Sequence, residues 1–210
     1  MVPSNLLKLY KVFGRQPFAL LDAGSGNFSA SKIKRHMPQC NYYGIDITRD
    51  YNYRPDDFEL MQGFWLKDLT QLQFDDIPDN TFDALLMTHI IEHLHNGDQV
   101  IQGLLKKLKK GGYVYIEYPS EKSVNFPSKK GTLNFYDDPT HVRLYSLHEV
   151  KSIVSKCNFE IIDSGTRKSF RNIAMMPIKM VHNKIKYGYV MASVYWDWYG
   201  FAEFVWAQKK

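Results

Sequence analysis

The fold this sequence predicts is α/β, a parallel sheet with helices on both faces. Two observations carry that expectation. From Phe18 onward short apolar runs alternate with helix-periodic segments, without repeats or low-complexity stretches. The apolar runs are also nearly continuous rather than alternating, as burial on both faces of a sheet requires.

The elements follow in order. "MVPSNLLKLYKVFGR" has the pattern of a short amphipathic helix, capped at Ser4 or Asn5. It lacks the apolar core and cleavage site of a signal segment. Strands are predicted at 18–23 ("FALLDA"), 41–47 ("NYYGIDI"), 58–62 ("FELMQ"), 82–88 ("FDALLMT") and 113–118 ("YVYIEY"). Helices are predicted at 28–37 and 97–110. The second groups Val100, Ile101, Leu104, Leu105 and Leu108 on one face and is stopped by Gly111 and Gly112. A third helix, 146–157, opens with Ser146 and Glu149 at capping-box spacing. "FEIIDSG" and "FAEFVWAQ" are strand-like, and between them lies a Met- and aromatic-rich insertion at about 170–199.

Bulk properties narrow the class. At 210 residues, 44% hydrophobic and 15% aromatic, the chain fits a single globular domain. No stretch approaches the roughly 20 apolar residues of a membrane span, and Cys40 and Cys157 lack metal-type spacing. A cytoplasmic protein is expected. The net charge of +5 favours anionic partners only weakly, because a modest lysine excess is ordinarily a solvated face.

The first strand runs into "LLDAGSGNFSA", residues 20–30. A loop leaving a strand's carboxyl end into a helix points backbone N–H groups outward, and Gly24 and Gly26 let a ligand approach them. The dinucleotide fingerprint G-x-G-x-x-G has Ser29 in place of its third glycine here. Asp22, just before the turn, would repel a pyrophosphate. Asp46 ends the next strand 20 residues after Gly26, where a carboxylate can accept bonds from both hydroxyls of a ribose. Asp68 follows the third strand, within reach of an adenine amine.

These residues resemble the class I S-adenosylmethionine-dependent methyltransferases, in their small-molecule branch. "LLDAGSG" is similar to that family's first motif, and "YYGIDIT" to its second. "DLTQLQFDDIPDNTFDALLMTHIIEHL", "LKKLKKGGYVYIEYPS" and "DPTHVRLYSLHEVKSIVSKCNFEI" resemble later segments, in family order across residues 18–165. The resemblance implies a Rossmann-like three-layer sandwich whose mostly parallel, seven-stranded sheet ends in an antiparallel strand. It implies S-adenosyl-L-methionine as cofactor, held by Asp22, Gly24, Gly26, Asn27, Asp46, Ile47, Asp68, Leu69 and His89. Asp22 also suits the ligand's ammonium on charge grounds alone.

Methyl transfer is an in-line displacement, so geometry supplies most of the catalysis, but a hydroxyl acceptor must also lose a proton. The densest polar group after the fifth strand is Asp137, Asp138, His141 and Arg143. His141 is the candidate base, oriented by Asp138. An equally weighted reading makes "DPTH" a turn in which His141 only packs. The expected reaction is O-methylation of a sugar, phenol or similar hydroxyl, and the alternative is a non-catalytic protein that senses the same ligand.

Two motifs point elsewhere. "HIIEH", His89 to His93, matches an inverted zinc-peptidase pattern, but it begins where a buried strand ends and shows no third ligand. A zinc hydrolase is therefore the lesser alternative, and no metal site is expected. "EYPS" at 117–120 lacks the paired prolines of nucleic-acid adenine methylation, and neither cysteine follows a proline, which argues against a nucleic-acid substrate. Finally, Ser164 to Trp196 holds six Lys or Arg residues and no acid. That segment fits either a basic lid selecting an anionic acceptor or touching an anionic membrane surface, or a solvated face with Met175, Met176, Ile178 and Met180 buried beneath it.

Overall fold

The computed structural model describes residues 2–210. Its centre is a seven-stranded sheet in the order β3-β2-β1-β4-β5-β7-β6. The strands are β1 (Phe18–Ala23), β2 (Cys40–Asp46), β3 (Met61–Leu66), β4 (Phe82–Thr88), β5 (Leu108–Pro119), β6 (Phe159–Thr166) and β7 (Ala202–Lys209). The first five run parallel, while β7 lies antiparallel between β5 and β6. The chain reverses its order of addition at β1, so the carboxyl ends of β1 and β4 open a crevice where such sheets bind ligands.

Neighbouring residues of each central strand feed opposite faces. Leu21, Ala23, Leu85 and Met87 face α4 (Gly97–Leu105) and α5 (Leu147–Lys156), packing on Val100, Ile101, Leu104, Val150 and Val154. Leu20, Tyr42, Ala84 and Leu86 face the other layer, against Leu9 of α1 (Leu7–Phe13) and Ala30 and Ile33 of α2 (Ser29–His36). The three layers follow from this period-two split.

Several local expectations are corrected. Residues 58–60 are not strand. Pro55 sits in the first turn of a short helix, α3 (Pro55–Glu59), and the strand starts at Met61, on the sheet edge where its residues are only half-buried. The glycine pair does not stop α4, which ends at Leu105. Gly111, at φ +79°, and Gly112 lie within β5 and form a bulge between its pairings with Phe82 and Ala84. Ser4 does not cap α1, and its hydroxyl instead accepts from Arg167. Ser146 does cap α5 by accepting from Glu149 N, whereas the Glu149 carboxylate is drawn to Arg143. Between β6 and β7 stand α6 (Phe170–Ala174), α7 (Met176–Tyr187) and α8 (Trp196–Tyr199). Met175 and Ile178, two of the four residues expected beneath a solvated face, are exposed, as are Val181 and Ile185 of α7. A small cluster of Leu133, Ala192, Phe201 and Ala202 ties this insertion to the loop after β5. Among the described residues no helix is long and apolar enough to cross a membrane.

Candidate functional site

The sites divide between two corners of the sheet's carboxyl edge. In the first, β1 leads into the glycine turn. Gly24 has φ +78°, and a side chain there would collide with Ile90. A side chain at Gly26 would meet Tyr51 and the Asp46 carboxylate. These glycines therefore leave two faces that Ile90 and Tyr51 fill.

The amides of the turn do not point free into solvent, as the sequence led one to expect. Gly24 N and Ser25 N donate to Ile45 O, Gly26 N to Asp46 Oδ2, Asn27 N to Tyr51 O and Phe28 N to Asn52 O. The physical reason is that the end of β2 lies beside the turn and the segment after it folds back, so Ile45, Asp46, Tyr51 and Asn52 together supply its acceptors. Asp46 also accepts from the Tyr53 hydroxyl on Oδ2. Its Oδ1 takes only a long bond of 3.3 Å from Thr48 N, which leaves that oxygen able to accept from a ribose hydroxyl. Ile47 beside it is 68% exposed, an apolar surface for a base.

Asp68 caps the short turn Leu69–Gln71, accepting from Thr70 N and Oγ1 at 2.9 and 2.7 Å. These bonds pull its carboxyl below the usual range. Leu69 is buried in the core. Asn27 lies at φ +55°, its carbonyl accepting from Lys32 Nζ at 2.6 Å.

Asp22 is only 2% exposed, and burial pushes its carboxyl up to about 7 despite hydrogen bonds from Tyr42 and Ser29. A nearby cationic ligand would be repaid by ionising it.

The second corner lies where β4 and β5 end. His89 sits at φ +54°, a conformation a non-glycine residue rarely adopts. Its N–H donates to Glu117 O. Its ring lies between two buried carboxylates, with Nδ1 3.1 Å from Glu92 Oε1 and Nε2 3.3 Å from Glu117 Oε1. Burial pulls the imidazole down, but bonds and charge from Glu117 and Glu92 outweigh it and raise it to about 9. His89 is therefore charged at neutral pH, and it packs on Trp196 and Phe201.

Glu117, 3% exposed, also accepts from the Tyr115 hydroxyl at 2.5 Å and lies 3.1 Å from Arg167 Nε. Arg167 reaches on to Asp197. Burial pushes Glu117 up, yet His89 and Arg167 hold it below the ordinary value. Sequence reasoning missed Glu117 and Arg167, and it weighed Glu92 only as part of "HIIEH". The available signal was an acid inside an apolar strand, "YVYIEY".

The polar constellation after β5 disperses. Asp137 closes its own loop, accepting from Leu133 N, Asn134 N and the Ser128 hydroxyl. Arg143 clamps Asp98 and Glu149. His141 is not oriented by Asp138, because its Nδ1 bonds Phe135 O at 2.7 Å. Asp138 instead accepts from the Thr140 hydroxyl, which touches His93 Nδ1 at 2.9 Å. The His93 and His141 rings stand 4.8 Å apart, and the chain at 142 and 143 donates to Glu92 O. The loop thereby brings His141 beside "HIIEH".

A family model of a methyltransferase domain matches residues 4–164. The chain belongs to that family. Specifically, it is a class I S-adenosylmethionine-dependent methyltransferase, and S-adenosylmethionine is its cofactor.

Solved structures agree on the fold. An S-adenosylmethionine-dependent methyltransferase from Archaeoglobus fulgidus is 20% identical at TM-score 0.61, over 98% of this chain and 92% of that one. The phosphoethanolamine N-methyltransferase 2 of Haemonchus contortus, in complex with phosphomonomethylethanolamine and S-adenosylhomocysteine, is 16% identical at TM-score 0.69, over 98% and 52%. The 1,6-didemethyltoxoflavin-N1-methyltransferase of Burkholderia thailandensis is 14% identical at TM-score 0.62, over 99% and 77%. No curated protein matches the sequence.

Proposed function

We propose that this methyltransferase methylates a hydroxyl of a small-molecule acceptor, seated where the ends of β4 and β5 meet the helical insertion. The observation that carries the reading is the imidazole pair. His141 donates Nδ1–H to a carbonyl, so its Nε2 keeps a lone pair at the acceptor end. An acceptor hydroxyl must shed a proton as it reacts, and a polar group of this kind assists that loss. The cofactor supplies an electrophilic methyl group on sulfur. Asp46 Oδ1 would take the ribose, exposed Ile47 would flank the base while Leu69 supports that turn from the core, Asp68 would accept from the base's amine, and Asp22 would face the ammonium. Gly24, Gly26 and Asn27 would give the turn that the ligand lies against. His89, its imidazole raised to about 9, would add a positive charge in the second corner.

The four basic residues of the insertion, Arg171, Lys179, Lys184 and Lys186, favour an acceptor bearing phosphate or carboxylate. The Haemonchus contortus protein is in complex with such a phosphorylated compound. Exposed Ile178, Val181 and Ile185 beside Lys184 and Lys186 also favour acceptor capture at an anionic membrane surface.

The test is incubation with S-adenosylmethionine carrying a 13C methyl group, against fractionated small-molecule extracts. The reading expects a labelled methoxy carbon by NMR in at least one fraction. A labelled N-methyl carbon, or no transfer to any fraction, would overturn it.

A further inference from the structure

We propose that Glu92, His93 and His141 form a divalent-cation site of zinc type at the carboxyl end of β4. One ligand atom from each of the three lies within 4.8 Å of the others. Ligand atoms around such an ion stand about 3.4 Å apart, at bond lengths of about 2.1 Å, so modest side-chain rotation closes the set. Two imidazoles and a carboxylate are a donor set for zinc and its first-row neighbours.

Three independent features point to an ion rather than to chance proximity. Glu92 is 1% exposed, and its Oε2 is a buried oxygen with no hydrogen-bond partner. An oxygen left so costs stability unless something cationic meets it. Its other oxygen is held by His89 Nδ1, the kind of outer contact that aims a ligating carboxylate.

Both histidines are also fixed in the ligating tautomer. His141 gives Nδ1–H to Phe135 O. For His93, the Thr140 hydroxyl spends its proton on Asp138 Oδ1 at 2.5 Å, so Thr140 Oγ1 must accept from His93 Nδ1–H at 2.9 Å. In the neutral ring the lone pair of each therefore sits on Nε2, and each ring is steadied from behind, as metal-bound imidazoles are.

Lastly, the site supplies what "HIIEH" lacked. The third ligand arrives from 48 residues beyond His93, while the motif's first histidine serves as the outer partner of Glu92. Three protein donors leave a tetrahedral ion one open position for an oxygen of water or of the acceptor, and with the ion bound His141 Nε2 would assist proton loss through the metal, which acidifies that oxygen, rather than by accepting the proton itself. Only that last point rests on the proposed O-methylation, and cation binding is testable with no acceptor present.

The experiment uses untagged full-length protein, stripped with chelator and titrated with zinc chloride by calorimetry, with S-adenosylhomocysteine titrated separately. The expected result is one zinc per chain, with Glu92→Gln and His141→Ala each weakening zinc binding at least 100-fold. Both variants should hold S-adenosylhomocysteine as the parent does, which shows that they fold. Thr140→Val, which removes only the partner of His93, should cost about 10- to 100-fold in zinc affinity. Cobalt in place of zinc should give the visible spectrum of a tetrahedral site. Zinc bound by a protein that ignores S-adenosylhomocysteine would support the site and count against the cofactor assignments instead. The inference is overturned if folded parent protein binds no stoichiometric zinc or cobalt, or binds zinc equally well with Glu92→Gln and His141→Ala.

Discussion

Replacing Asp22 with asparagine should stabilise the ligand-free protein, and by an amount that depends on pH. Asp22 is buried on β1, with Tyr42 OH donating to its Oδ2 at 2.6 Å, and burial raises its carboxyl from 3.8 to about 7. An acid whose folded value is raised costs stability once it ionises. Below about pH 4 both states carry the proton and the cost vanishes. As pH climbs toward 7 the unfolded chain ionises freely while the folded chain resists, and above 7 the full cost is present. The interval from 3.8 to about 7 corresponds to roughly 4 kcal/mol. The asparagine side chain carries no charge at any pH and keeps an oxygen for the Tyr42 hydroxyl. Urea unfolding of parent and Asp22→Asn at pH 4.5 and pH 8 reads the difference directly. The variant's advantage should be small at pH 4.5 and grow by up to about 4 kcal/mol at pH 8. The same substitution should weaken S-adenosylmethionine binding if, as proposed, the Asp22 carboxylate faces the ligand's ammonium. An advantage equal at both pH values would refute the reasoning, since only a titrating group makes it pH-dependent.

Two further outcomes are expected. His141→Ala should lower turnover by at least about 100-fold while leaving S-adenosylmethionine affinity within about threefold, read by steady-state kinetics and calorimetry. A loss of cofactor binding would instead place His141 with the cofactor. Arg167→Ala should strand the buried Glu117 and Asp197 charges and cost about 3 to 5 kcal/mol in urea unfolding, whereas a loss under about 1 kcal/mol would show that water already reaches them.

The layers and the first corner of the site were legible because local pattern determines them. Apolar runs such as "FALLDA" announce buried strands, and a carboxylate one strand beyond a glycine turn lands beside that turn. The third strand was misplaced because "FELMQ" is apolar enough to mimic a buried strand, while Pro55 starts a helical turn and the true strand lies on the half-buried edge. Gly111 and Gly112 resembled a helix stop because a bulge and a C-cap both use positive φ. The second corner was hidden for a different reason. The contact of His141 with the "HIIEH" segment depends on how a long loop returns across the sheet, and Glu117 meets Arg167 across β7. Spacing along the chain records neither. Even the closure of the glycine turn by Tyr51 and Tyr53 is a tertiary event that the motif does not contain.

The most direct test of the account is calorimetric titration of S-adenosylhomocysteine into the parent protein and into Asp46→Ala. Asp46 joins the glycine turn to the proposed ribose contact through Oδ2, which accepts from Gly26 N, and Oδ1, whose bond from Thr48 N is long. Hydrogen bonds to a charged group contribute about 1.5 to 3 kcal/mol, so the variant should bind roughly 10- to 150-fold more weakly, with the parent binding one ligand per chain. A parent that binds no S-adenosylhomocysteine, or a variant that binds it as tightly as the parent, would contradict the site described for this methyltransferase.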